Sequence, residues 1–336
     1  MMTIASVSQE AHTPTPPSMN RGVSLMRAFG WINLAVLVAL LLNNVLVVSA
    51  DFSGPLELGS GLAKSYPFWV LMGMAIILSV IYVFRDPALG LREDAERINR
   101  ANVYIIRGCF FAVLFVGLFD TVIAFMRVEN LLVQFTGETL AKNFARSHFV
   151  GQFIHVPLVL FGFILAAFTR GLGFTWLAFM IVLAELVIVI SRFLFSYEQA
   201  LMGDLVRYWY AALFLFASAH TLFADAHVRV DVLYAGLKDR KKGAVNGIGT
   251  VLLGIATCWT IIVIGFGHAR AIINSPVTNF EISQTGSSGL FIKYQMAAFL
   301  AVFAITMLIQ FVSYLFEAYA DYRGDPGKRE TAPAAH

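Results

Sequence analysis

The sequence predicts an all-α, polytopic membrane bundle of about eight transmembrane helices, with both ends on the cytoplasmic side (N-in/C-in). Three observations carry this. Hydrophobic residues make up 58% of the 336 and charged residues only 13%, about half the charged share of a soluble domain. The apolar residues fall in runs of about twenty, the length that crosses roughly 30 Å of hydrocarbon. The runs are continuous and do not alternate with period two, which argues against an outer-membrane barrel.

Residues 1–20 are polar and carry Thr13-Pro14-Thr15-Pro16-Pro17-Ser18, a composition that predicts a disordered tail. The first run, Leu25–Ala50, exceeds the h-region of a signal peptide and is expected to persist as the first span. The next three are Tyr66–Phe84, Ala101–Met126 and Val150–Thr169. Four more follow at Leu172–Phe195, Leu205–Phe223, Ala244–Gly267 and Phe291–Glu317. Tyr66, Trp69, Trp209 and Tyr210 stand at span ends, where amphipathic rings sit among headgroups. Two thirds of the 24 Lys and Arg residues fall on the side of the N-terminus. The segments 86–100 and 225–243 are the strongest votes, and this excess sets the expected orientation.

Two connections on the opposite side are longer than turns. Arg127–Phe149 spaces Leu131, Leu132, Phe135, Leu140 and Phe144 among polar residues, as an interfacial amphipathic helix or a plain loop would. Ala271–Leu290 is rich in Ser, Thr and Gly and is expected to be an exposed loop. Spans two to four start at 66, 101 and 150 and spans six to eight about 140 residues later, as a parallel duplication would give. Identity between the halves is thin, and any eight-span chain has some regular spacing.

Ionisable groups inside the runs are costly and need partners. Glu185 lies near the middle of span five, with Arg192 seven residues on. Asp120 and Arg127 repeat the relation at the end of span three. They read either as an ion path or as helix-to-helix pairing. His148 and His155 are seven apart, as are His220 and His227; haem would need histidines facing one another on neighbouring helices, and no such pair can be assigned. Cys109 and Cys258 lie in apolar runs and read as small packed residues. Gly243 and Gly247 form a small-xxx-small pair for close helix approach. No HExxH, GxSxG or Walker A motif is present, nor a GxGxxG opening a helix, so neither an enzyme nor an ATP-driven pump is expected. No cofactor is expected in this chain.

The most informative stretch is His227-Val228-Arg229-Val230-Asp231, at the end of span six and followed by Lys238, Arg240, Lys241 and Lys242. Before it come Ser191-Arg192-Phe193-Leu194-Phe195, acidic Glu198 and Asp204, and Arg207-Tyr208-Trp209-Tyr210. After it comes Asn279-Phe280-Glu281-Ile282-Ser283, ahead of a last span containing Lys293. In this order the block resembles the small membrane subunit of tripartite ATP-independent periplasmic (TRAP) transporters. The resemblance covers roughly residues 172–320. It divides the chain into a tail (1–20), an N-terminal four-helix extension (21–170), a TRAP-like four-helix domain (171–320) and a cytoplasmic tail (321–336). The usual small subunit lacks the extension.

The resemblance implies a non-catalytic scaffold for a large, elevator-type permease subunit holding the substrate and sodium sites. A periplasmic binding protein would deliver an organic acid anion across a bacterial inner membrane. Membrane lipids, but no nucleic acid, would be further partners. By its chemistry Arg229 suits a lipid phosphate or a partner carboxylate. Asp231 suits the cap of a short helix over Val232–Lys238, and His227 suits a bridge between the span end and that turn. The competing reading of all three is a solvated span end. Two other functions are a membrane anchor of a redox enzyme and a stand-alone secondary transporter coupled through Glu185 and Asp120.

Overall fold

The computed structural model describes residues 21–86, 89–171, 173–198, 200–224, 232–283 and 286–328. These residues form helices and connections, with no strand among them. Among the described residues, eight helices are long and apolar enough to cross a membrane. They are α1 (Arg21–Ala50), α2 (Leu62–Arg85), α3 (Leu91–Val128), α5 (Ser147–Phe168), α6 (Phe174–Leu194), α7 (Ala200–Phe223), α8 (Asp239–Gly265) and α9 (Lys293–Arg323). A shorter helix, α4 (Leu132–Phe144), joins α3 to α5 and is broken at Gly137, where φ is +77°. The Arg127–Phe149 connection is thus helical, with a kink at the one residue type that enters that backbone region freely. We call the side where α1 begins the near side and the other the far side. The predicted tail 1–20 and the motif residues His227, Arg229 and Asp231 lie outside the described residues, and Val232–Ala235 forms a single short turn.

The largest departure from expectation is the start of α3, ten residues before the predicted span. The segment Leu91–Arg100 is charged but carries a buried stripe of Leu91, Ala95 and Ile98 at helical spacing, continued by Asn102. Glu93 and Asp94 occupy its first turn, where acidic groups complement the helix dipole. Asp94, wholly buried, accepts hydrogen bonds from Arg27 Nε at 2.7 Å and Trp31 Nε1 at 3.1 Å on α1. Arg92 spans to the end of α9, pairing with Glu317 and with Asp321 at 2.8 Å. It also donates to the carbonyls of Asp325 and Pro326. The start of the predicted tail 321–336 is therefore held down, and Lys328 pairs with Asp239 at 2.8 Å.

α3 and α9 are the most buried spans and stand at the centre. Asn102 on α3 donates to the Thr306 carbonyl on α9, and Ser313 on α9 donates to the Ala95 carbonyl. One apolar cluster joins α3, α6, α7 and α9 through Phe110, Leu177, Trp209, Phe216 and Phe299. The other joins α1, α3, α8 and α9 through Leu40, Ile98, Ile262 and Phe316. Each draws on both sides of the boundary expected near residue 170, so the two four-helix segments share both clusters. The central pair is also not the pair a parallel duplication would match, since such a repeat sets α3 against α8.

Where lipid is as apolar as leucine, close helix contact depends on small residues and internal polar bonds. Gly162 on α5 lies against α3 so closely that a Cβ there would come within 2.5 Å of the Ala112 backbone nitrogen. Gly243 does the same against α9, at 2.6 Å from the Ala318 carbonyl oxygen, whereas Gly247 has room for a side chain. Only the first half of the predicted small-residue pair is a contact.

Among its described residues the far-side segment 271–290 is partly buried, where its composition suggested an exposed loop. Ala271, Ile273, Asn274 and Leu290 are buried, and Asn274–Thr278 is a short helix. One of its polar side chains serves the protein interior: Asn274 exchanges hydrogen bonds with Asn44 on α1 at 2.8 and 3.0 Å.

Candidate functional site

At the far side four helices bring buried polar groups together. Asp120 lies on the inward stripe of α3 with Val113, Val116 and Ala124, and is wholly buried. Its Oδ2 accepts the Phe291 backbone N–H at 2.7 Å. This amide lies two residues before α9, where first-turn N–H groups lack helical partners and a negative charge is favourable. Asp204, one turn into α7, accepts the neighbouring Leu290 N–H at 3.2 Å and pairs with Arg207 at 3.2 Å. Arg127 at the end of α3 donates to the carbonyls of Ser287 at 2.7 Å and Gly289 at 2.6 Å. Its guanidinium lies 3.9 Å from the centre of the Phe291 ring. Three charged side chains thus clamp the chain entering α9.

Asp120 also faces His155 on α5. The residues Gly151–His155 form a π-helical turn, a feature that inserts one extra residue and recurs at functional sites. His155 is 1% exposed, with Nε2 3.4 Å from Asp120 Oδ1. Neither atom has a hydrogen-bond partner among the described residues. On the other edge of the ring, Nδ1 is 2.8 Å from the Tyr294 hydroxyl on α9. Tyr294 Oη accepts from Gln295 Nε2 at 3.1 Å, and Gln295 Oε1 accepts from the Tyr208 hydroxyl on α7. The result is a hydrogen-bonded run from Tyr208 through Gln295 and Tyr294 to His155, whose other edge faces Asp120. Aromatic rings seal it: Phe280 packs edge-on against Tyr294, and Phe299 packs against Tyr208.

The second candidate is the flank formed by α6. This span is the least buried of the eight. Leu177 and Ile181 are buried, and beyond Ile181 no residue of α6 is. Glu185 lies in this outward stretch and is exposed, near the middle of the span. Beside it runs an apolar groove of about 350 Å³ between α6, α3 and α7, lined by Val122, Phe125, Met180, Leu183, Val187 and Met202. Arg192 does not reach back to Glu185, which is seven residues or about 10 Å of helix away. It pairs with Glu198 at 3.1 Å.

Of the predicted polar residues, Asp120 and Glu185 therefore play opposite parts, one enclosed and one on the outer face. Asp120 and Arg127 do not pair directly; both hold the segment 287–291. His155 was visible as a histidine in an apolar run, but Tyr208, Tyr294 and Gln295 carried no sign of joining it. Their only signal is polar groups at the heads of two apolar runs. His148 packs on Phe280, and His220 packs against Phe174 and Phe223. Among the described residues no group of three or more His, Cys, Asp or Glu is placed to hold a metal. Comparisons with models of known families, with curated proteins and with solved structures return no match.

Proposed function

We propose that this multi-pass membrane protein is the non-catalytic small subunit of a TRAP transporter, a fixed scaffold for a large elevator-type permease subunit. In this reading the complex takes up an organic acid anion, driven by sodium, across a bacterial inner membrane. A periplasmic binding protein delivers the anion. The sequence support is the ordered block from Ser191 to Asp231 with the basic cluster after it. The observation that carries the reading is Glu185. An ionisable group on the outer face of a span, midway along it, is costly in lipid and needs a protein partner. A scaffold subunit supplies that setting, because its bare flank is covered in the complex. The apolar groove beside α6 offers a seat for a partner helix.

The test is affinity capture of the full chain from its native membrane. A larger multi-pass protein is expected in equal amount, and Glu185→Leu is expected to reduce its recovery at least about tenfold, the equivalent of about 1.4 kcal/mol. Sodium-dependent uptake by the purified chain alone in proteoliposomes would overturn the reading in favour of a self-sufficient carrier.

A further inference from the structure

We propose that His155 and Asp120 form a proton-binding site whose occupancy sets how firmly the far-side segment 286–292 is held at the head of α9. The inference does not depend on the transporter reading. It starts from hydrogen-bond polarity. Tyr208 donates to Gln295 Oε1, and Gln295 Nε2 donates to Tyr294. The single Tyr294 hydrogen is then free to point only at His155 Nδ1, 2.8 Å away. Nδ1 is therefore an acceptor, and a neutral imidazole carries its hydrogen on Nε2, facing the Asp120 carboxylate at 3.4 Å. Every donor in the run points the same way, toward one carboxylate that the last of them faces without a hydrogen bond.

One more proton, taken from far-side water, disturbs this order. On His155 it makes Nδ1 a donor, so that Tyr294 must turn its own hydrogen away. On Asp120 Oδ1 it donates to Nε2, which moves the imidazole hydrogen to Nδ1 with the same consequence. Either way Tyr294 donates to Gln295, whose amide turns over, and the run reverses. The proton belongs to the pair rather than to one residue. The outcome at α9 differs between the two placements only in degree. The charge holding Phe291 N–H is shared with an imidazolium or lost to a proton, and a charge-assisted bond weakens toward an ordinary one.

The groups surrounding the pair are Arg127 and Cys109 on α3, Asp204, Arg207 and Tyr208 on α7, and Glu281, Lys293 and Tyr294 before and at the head of α9. Arg207 is matched to Asp204 and Lys293 to Glu281. Arg127 is committed to backbone carbonyls and an aromatic face. His148, on the turn before, is separated from Tyr294 by the Phe280 ring. Asp120 and His155 thus remain the facing pair with an open position for a proton between them.

The experiment uses the full chain in nanodiscs, with nitrogen-15 in its histidines and a spin label at Ser287→Cys. Ser287 is exposed and both native cysteines are buried. The His155 signal, assigned by its loss in His155→Gln, is expected at about pH 8 as a neutral ring protonated on Nε2. Lowering the pH to about 4.5, across the ordinary imidazole and carboxyl ranges, should give one transition. The mobile fraction of the spin label should rise at least about threefold with the same midpoint. Asp120→Asn should move the His155 midpoint by at least about one pH unit and leave the label mobile throughout. Tyr294→Phe, which removes one oxygen from a position 7% exposed, should mix the two neutral tautomers and stands in if Asp120→Asn does not fold. A His155 signal constant over the range, one that titrates unchanged in Asp120→Asn, a label indifferent to the transition, or a single Nε2–H tautomer retained in Tyr294→Phe would each overturn the proposal.

Discussion

Asp94 and Asp120 are two wholly buried carboxylates at opposite ends of the same helix, and they are met by different chemistry. Asp94 faces the guanidinium of Arg27 at 2.7 Å and the indole N–H of Trp31. Asp120 faces an imidazole at 3.4 Å and a backbone amide at 2.7 Å. Arginine keeps its charge at any pH a cell meets, whereas imidazole changes charge within the physiological range. The near end of α3 is therefore a permanent lock, joining α1 to α3. The far end ties α3 to α5 and α9 through a group that can gain a proton. The same residue type in equal burial does different work because of its partner.

The comparison can be broken at either end. The largest effect is expected for Arg27→Met, which leaves Asp94 buried beside only an indole N–H. Unfolding in micelles should be easier by about 3–5 kcal/mol, the cost of stranding a buried charge. Arg27→Met with Asp94→Leu should recover most of that, since apolar replacement of both partners is often neutral. A single-variant loss below about 1 kcal/mol would remove the lock from the account.

Asp120→Asn preserves shape but gives up the charge on the Phe291 amide, and is expected to cost about 1–3 kcal/mol, less than Arg27→Met. Equal losses would mean that the two ends are not different in kind. Between the ends, Gly162→Ala sets a Cβ against the α3 backbone and should cost about 1–3 kcal/mol by overpacking. Gly73→Ala on α2, with nothing within 4 Å of the new atom, is the neutral control in the same unfolding assay.

Glu185→Gln should change the stability of the isolated chain by no more than about 0.5 kcal/mol, as for an exposed site. Any larger loss would show that Glu185 serves this fold rather than a partner. The smallest effect concerns Asp51, in the far-side connection after α1, where Lys64 2.5 Å away holds the carboxyl below its usual range. A depressed carboxyl contributes stability above its unfolded pKa and loses it as the pH falls through the folded value. Wild type should therefore lose slightly more stability than Asp51→Asn below about pH 4, as read by thermal unfolding. Both side chains are exposed, so the difference will be small.

Spans were legible because their signal is local: about twenty apolar residues in sequence identify a crossing whatever lies beside it. All eight were found on that basis, with ends correct to within a few residues except at α3. There the first ten residues are charged and read as a loop, yet they continue the helix because Arg27, Asp94, Arg92 and Asp321 satisfy one another across helices that are far apart in sequence. The loop before α9 failed for the same reason. Its Ser, Thr, Asn and Gly residues signalled water, but Asn274, Ser283, Ser287 and Gly289 find partners in Asn44, Asp204 and Arg127. For the candidate sites the sequence singled out Asp120 and Glu185 as ionisable groups in apolar runs, and left their roles open.

Taken alone, the sequence determines the class, the number of crossings and which polar residues need explaining, because hydrophobic length and charge are properties of consecutive residues. It also supplies the resemblance on which the proposed function rests. Only the tertiary structure decides which face each polar residue takes. Asp120 and Glu185 occur in comparable apolar surroundings along the chain. One is turned inward by the packing of α3 against α5, α7 and α9, the other outward by the departure of α6 beyond Ile181. That difference comes from contacts between segments far apart in sequence, 171 residues in the case of Asp120 and Phe291, and no local pattern encodes it.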